Sequence, residues 1–346
     1  MSGTTRPTVV VTGGSAGVGR AVAVAFGRRG WNVGIVARGR AGIEAAVEEV
    51  RAVGGQALGY RADVADPAAV DRAADAFAQE FGGIDVWVNN AMVTVYAEVE
   101  HTTPEEFRRV TEVTYLGQVH GTLAALRHMR EADRGTIVHV GSALAYRSIP
   151  LQSAYCAAKS AVRGFVDSLR TELLHHRSRI RLTMVQLPAV NTPQFDWARS
   201  RLPRKLEPVP PIFQPEAIAE EILSAAHDAP RELWIGTPSW LAILGAQAAP
   251  AFSDHYLARH GYRGEMTSEA AERGRPDNLF EPVDARRDHG AHGRFDARAK
   301  GRVVAADPMW LHLGMIAAAG LIGGTALAAA RRSGREQLAS PDEPRA

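Results

Sequence analysis

A short β-branched run at residues 8–12 leads into Gly13-Gly14-Ser15-Ala16-Gly17-Val18-Gly19, and an Ala/Val-rich helical pattern follows at 20–29. Strand, glycine turn and helix in that order constrain the fold more than any other stretch of the chain. Gly13 permits a tight turn, Gly17 lets backbone amides approach a pyrophosphate, and Gly19 lets the helix pack closely on its strand. Residues 31–37 read as a second strand and close a βαβ unit. The alternation then continues. Helices are expected over 41–53, 67–81, 104–130, 152–170 and 216–227, and strands over 56–62, 84–88, 136–141, 180–187 and 232–236. This pattern specifies an α/β fold, a doubly wound parallel sheet of the Rossmann type, over residues 1–260.

The second strand ends Ala37-Arg38-Gly39-Arg40. An acidic residue there would hold the ribose 2′-hydroxyl of NAD, whereas two guanidiniums accept a 2′-phosphate. NADP(H) is therefore the expected cofactor, with NAD(H) the alternative. A second constellation lies at Tyr155-Cys-Ala-Ala-Lys159. Positions four apart share one helix face, so a phenol and an ammonium can share one pocket. A nearby cation favours the phenolate and would lower the phenol pKa from its ordinary value of about 10. Ser142 follows the apolar strand 136–141, at the ligand edge of such a sheet.

Taken together, these residues resemble the short-chain dehydrogenase/reductase family in its compact form, over residues 8 to about 240. Thr12, Gly13, Gly17 and Gly19 fit its glycine loop, with Ser15 and Val18 inside it. Asp63, followed by Val64, fits the aspartate that meets the adenine amino group. Asn89-Asn90-Ala91 fits the segment beside the cofactor. Ser142, Tyr155 and Lys159 fit the catalytic serine, tyrosine and lysine, and Pro188 and Thr192 fit the loop that meets the nicotinamide carboxamide. The resemblance implies hydride transfer between nicotinamide and a carbonyl or secondary alcohol. Tyr155 would exchange the proton, Lys159 would lower its pKa and bind the ribose, and Ser142 would orient the substrate oxygen. It also implies a homodimer or homotetramer paired through helices 104–130 and 152–170. Two positions depart from the pattern. Met92 stands where a glycine is usual, and Thr114 stands in place of the catalytic asparagine, where it could kink its helix by back-bonding. These departures motivate one alternative, a non-catalytic dinucleotide-binding scaffold; another reaction of the family, such as epimerisation or dehydration, is a second.

Leu144, Tyr146, Ile149, Phe195 and Trp197 are candidates for an apolar substrate wall, which points to a lipid-like ketone. The Pro-rich stretch 193–215 is long enough to be a lid. A formal charge of +2 with no basic stripe gives no case for nucleic acid. Cys156 is the only cysteine, so intrachain disulfides and cysteine-based metal sites are excluded. The start of the chain carries no apolar signal core, so the catalytic region is expected in the cytoplasm. Beyond residue 260 the composition shifts. Residues 261–307 are polar and weakly periodic, read as a surface or disordered extension. Residues 309–330 are apolar, with Trp310 at one border and Arg331-Arg332 at the other. That run can cross a bilayer as a helix, so a membrane span is expected over 308–332, followed by a polar tail at 333–346.

Overall fold

The computed structural model describes residues 6–309, Arg273 excepted. Seven parallel strands form the sheet: β1 (Thr8–Thr12), β2 (Asn32–Ala37), β3 (Gln56–Arg61), β4 (Val86–Asn89), β5 (Gly135–Val140), β6 (Ile180–Gln186) and β7 (Glu232–Ile235). Their spatial order is β7-β6-β5-β4-β1-β2-β3, and a short edge strand beginning at Ala305 follows β7. The order reverses between β1 and β4, which opens a crevice at the strand ends. All five residues of β1 and all six of β2 are buried, as a strand covered on both faces requires.

Helices cover both faces of the sheet. One face carries α1 (Gly17–Arg28), α2 (Arg40–Ala52) and α7 (Pro215–Asp228). The other carries α3 (Pro67–Phe81), α4 (Pro104–Val110), α5 (Gly117–Met129) and α6 (Ser153–His175). Local chemistry sets their ends. The Asp66 side chain caps α3 by accepting from the amides of Ala68 and Ala69, and Gly82 ends that helix at φ 83°. Thr103 and Glu106 form a reciprocal capping box at the start of α4. The expected single helix over 104–130 is interrupted by a π-helical turn, Thr111–Leu116. Two further helices, α8 (Thr237–Ala248) and α9 (Pro250–Gly264), follow β7.

The stretch 193–215 is held in place rather than hanging free over the sheet. Arg199–Ser200 pairs with Val95–Tyr96, Arg204–Leu206 with Met266–Ala270, and Ile212–Phe213 with Ala299–Lys300. Glu106, almost wholly buried, receives both Arg199 and Arg201. Two of those three ribbons are made with the extension beyond residue 260. The extension itself packs on the sheet domain: Leu279 is fully buried in one of the two main cores, and its carbonyl accepts from Arg109 Nε at 2.9 Å.

The chain divides into a unit that ends at Ala305 and a second that begins at Ala306. Among the described residues no helix is long and apolar enough to cross a membrane. The apolar run expected to span, and the tail after it, lie almost wholly outside the described residues.

Leu279→Ala removes a fully buried anchor, so it should lower stability by about 2–5 kcal/mol. Urea unfolding measures that loss, and hydrogen exchange should show faster opening at 278–293 than in β1 or β4.

Candidate active site

A cavity of about 510 Å³ runs along the carboxyl ends of the strands. Gly13 enters it after β1, Arg38 after β2, Asp63 after β3, Asn90 after β4, Ser142 after β5 and Pro188 after β6. Ligands of open α/β sheets bind at this edge.

The glycine loop is fixed from behind. Gly13 takes φ +68°, and a Cβ there would lie 2.8 Å from the Ala91 Cα. A side chain at Gly19 would collide with the Gly13 carbonyl, so α1 could not sit so close to the turn. Thr12 Oγ1 donates to the Val88 carbonyl and accepts from the amides of Asn90 (3.0 Å) and Ala91 (3.2 Å). Asn90 Nδ2 donates back to the carbonyls of Thr12 and Gly13. Gly17, Ser15 and Val18 line the cavity on this rigid turn, and the arrangement fits a bound pyrophosphate. Asn89 does not reach the cavity. It is wholly buried, accepting from Trp87 Nε1 at 2.9 Å and donating to Thr122 Oγ1 at 3.0 Å.

Ser142, Tyr155 and Lys159 meet on the opposite wall. Ser142 stands beside the Tyr155 hydroxyl. Lys159 Nζ lies 5.6 Å from the Tyr155 ring centre and donates to the Val140 carbonyl at 2.7 Å. Burial decides both ionisations. It pushes the phenol of Tyr155 well up, with the neighbouring Ser142 hydroxyl drawing it partly back, and it pulls Lys159 down to about 7. The sequence predicts that the lysine lowers the phenol pKa. In the folded chain desolvation outweighs that attraction, because the ammonium is itself taken out of water.

Thr114 is fully buried in the π-helical turn and does not line the cavity. Its Oγ1 donates to the Val93 carbonyl (2.8 Å) and accepts from the Val93 amide (3.0 Å), so it does not back-bond along its own helix. The expected kink is a π turn, and the back-bonding residue there is Thr111, on the Phe107 carbonyl.

At the adenosine end, Val64 and Asp63 line the cavity. Asp63 is paired with Arg109 and lies 3.9 Å from Arg38. Arg38 donates to the carbonyls of Asn278 and Phe280. Arg40 is absent from the cavity: its side chain is 78% exposed and lies 3.9 Å from Glu44. At the nicotinamide end, Pro188 and Thr192 line the wall, and Ala91 and Met92 stand between the two ends. Of the five apolar candidates, Leu144, Ile149, Phe195 and Trp197 line the cavity. Tyr146 does not. Its hydroxyl donates to the Glu232 carboxylate at 2.7 Å, and its ring packs on Trp234.

Some residues of this site escape sequence reasoning. Glu265 is 2% exposed, accepts from Gln152 Nε2 at 3.0 Å and lines the cavity with it. Burial pushes its carboxyl up to about 8. Asp284, 7% exposed, lines the adenosine end. The amide of Gly17 donates to the Gly290 carbonyl at 3.1 Å. All three come from the extension. The one signal that could have flagged it is the apolar group Leu279, Phe280 and Val283 inside an otherwise polar stretch.

Residues 7–202 match the short chain dehydrogenase family. An uncharacterized oxidoreductase YxnA of Bacillus subtilis is 31% identical over 260 residues, covering 74% of this chain and 73% of that protein. A putative oxidoreductase SadH of Mycobacterium tuberculosis is 34% identical over 183 residues, 53% of this chain and 66% of the relative. Versicolorin reductase stcU of Emericella nidulans is 33% identical over 187 residues, 54% of this chain and 70% of the relative. With the parallel sheet, the glycine turn and these likenesses in agreement, the chain belongs to the short-chain dehydrogenase family, whose members are nicotinamide-dinucleotide-dependent oxidoreductases.

Proposed function

We propose that this enzyme interconverts a ketone and a secondary alcohol, with Tyr155 passing the proton to or from the substrate oxygen. The reading is carried by one observation: Ser142, Tyr155 and Lys159 share a wall of the cavity whose other end is the glycine turn. The nicotinamide dinucleotide supplies or takes up hydride when bound. The protein's own residues orient and stabilise. Ser142 and Tyr155 offer two hydroxyl donors to an oxygen that becomes alkoxide-like as hydride arrives. Lys159, tied to the Val140 carbonyl, stands 5.6 Å from the Tyr155 ring centre, where it would hold the nicotinamide ribose.

The substrate wall is apolar, with Met92, Leu144, Ile149, Phe195 and Trp197 along it, and one polar end at Glu265 and Gln152. A largely apolar ketone carrying one further polar group fits such a wall. The apolar run 309–330 supports a membrane tether for such an enzyme. Leu123 on α5 (58% exposed) and Leu174 on α6 (70% exposed) support subunit pairing through those helices. The guanidiniums that favour NADP in the sequence are differently occupied in the fold, Arg38 on carbonyls and Arg40 on the outer surface.

Tyr155→Phe should reduce turnover on a carbonyl panel by about a hundred- to ten-thousand-fold. Dinucleotide affinity, read by nicotinamide fluorescence, should stay within about two-fold, since the phenol acts on the substrate oxygen. Equal binding by both proteins with turnover by neither would favour the scaffold reading.

Glu265 supplies a pH test. Folded, it keeps a proton that the unfolded chain releases above the ordinary carboxyl range. Stability should therefore fall as pH rises from about 5 to about 8, and level off above that. Glu265→Gln should remove that decline. Urea midpoints of both proteins across the same pH range measure the difference, which cancels the opposite contributions of Lys159 and of His139, a wholly buried β5 histidine whose pKa burial also lowers.

A further inference from the structure

The second strand of this enzyme ends without a carboxylate, yet one stands at that place in the fold. It comes from Asp284, far along the chain in the extension. Residue 284 is 7% exposed and lines the cavity together with Ser15, Arg38 and Asp63. Its carboxylate lies over the start of α2: a side chain at Gly39 or at Gly42 would overlap its oxygens, and the Cβ of Ser15 is next to the same spot. Its backbone is fixed as well, since the Gly42 amide donates to the Asp284 carbonyl at 3.2 Å. Among the described residues no hydrogen bond or ion pair reaches the carboxylate itself. Arg38 is attracted to it without a hydrogen bond, and the carboxylate oxygens border the cavity, open to a donor from a ligand.

The same extension disposes of the competing guanidiniums. Arg38 is drawn onto the carbonyls of Asn278 and Phe280, with that of Leu279 at 3.5 Å. Arg109, which holds Leu279 from the other side, is paired with Asp63. Arg40 faces solvent. The donors that could receive a 2′-phosphate are thus engaged or turned away, while a negative group occupies the same neighbourhood.

We infer that Asp284 supplies from the extension the carboxylate that accepts the adenosine ribose hydroxyls, and that it makes this enzyme select NAD(H) over NADP(H). The inference rests on the dehydrogenase reading above. A 2′-hydroxyl donates to the carboxylate and satisfies it. A 2′-phosphate brings like charge against it in a partly desolvated site, and such juxtaposition strongly disfavours binding. Arg38 then acts as a positioning residue, holding the segment 278–284 against the sheet.

The test is binding, not turnover. NADH and NADPH are titrated into the full-length protein by nicotinamide fluorescence, with ADP-ribose and its 2′-phosphate as competitors. The wild type should bind NADH about a hundred-fold more tightly than NADPH. Asp284→Asn, which keeps the shape and removes the charge, should tighten NADPH about ten-fold or more and shrink that ratio. Equal or tighter NADPH binding by the wild type overturns the inference, whether or not the variant folds. So does an Asp284→Asn protein that loses thermal stability but keeps the wild-type ratio, because the carboxylate would then serve only to cap α2. If neither dinucleotide binds, the dehydrogenase reading itself fails, and this inference with it.

Discussion

The close approach of α1 to its own glycine turn is the constraint from which the site follows. Only because Gly19 has no side chain can the helix start against the Gly13 carbonyl. Only because Asn90 caps the carbonyls of Thr12 and Gly13 is the turn held in one shape. That shape sets where the amides after β1 point, and the crevice between β1 and β4 sets what can reach them. Every other residue at the carboxyl edge is positioned relative to this turn, through the parallel registers that tie β4 to β1 and β5 to β4.

At the far end of the cavity, burial is the dominant force. Tyr155 and Lys159 are both desolvated, and desolvation pushes each toward its neutral form. Only Lys159 is brought to titrate near neutral pH by this; the phenol is held protonated until something in the cavity stabilises its anion. Glu265 follows the same logic from the substrate side, kept protonated by its surroundings and able to donate a hydrogen bond. Apolar walls therefore do two things here. They shape the cavity beside Ser142 and Tyr155, and they tune three titratable groups at once.

How much of this the sequence discloses depends on the distance along the chain over which each contact acts. Strands and helices were legible because the apolar periods that specify them are local, and the glycine turn because it lies between its own strand and helix. Ser142, Tyr155 and Lys159 were legible because two of them share a helix face and the third ends a strand. The π turn at Thr111–Leu116 was not, since nothing in the local pattern separates it from α-helix. The part played by residues 261–307 was not either. Arg38 meets Phe280 across 242 positions and Arg109 meets Leu279 across 170, and no periodicity spans such gaps. Low apolar content made that segment read as loose surface, whereas one leucine and a series of backbone carbonyls were enough to anchor it.

The two ribbons that join 204–213 to 266–270 and 299–300 have a consequence for how this protein is made. During synthesis the sheet, with its glycine turn, emerges complete through β7 before any of the segment that lines its ligand edge. A chain released early would lack Glu265, Asp284 and the Gly290 carbonyl that meets the Gly17 amide. The pocket therefore takes its finished shape only once residues 265–290, made after the whole sheet, have docked on it.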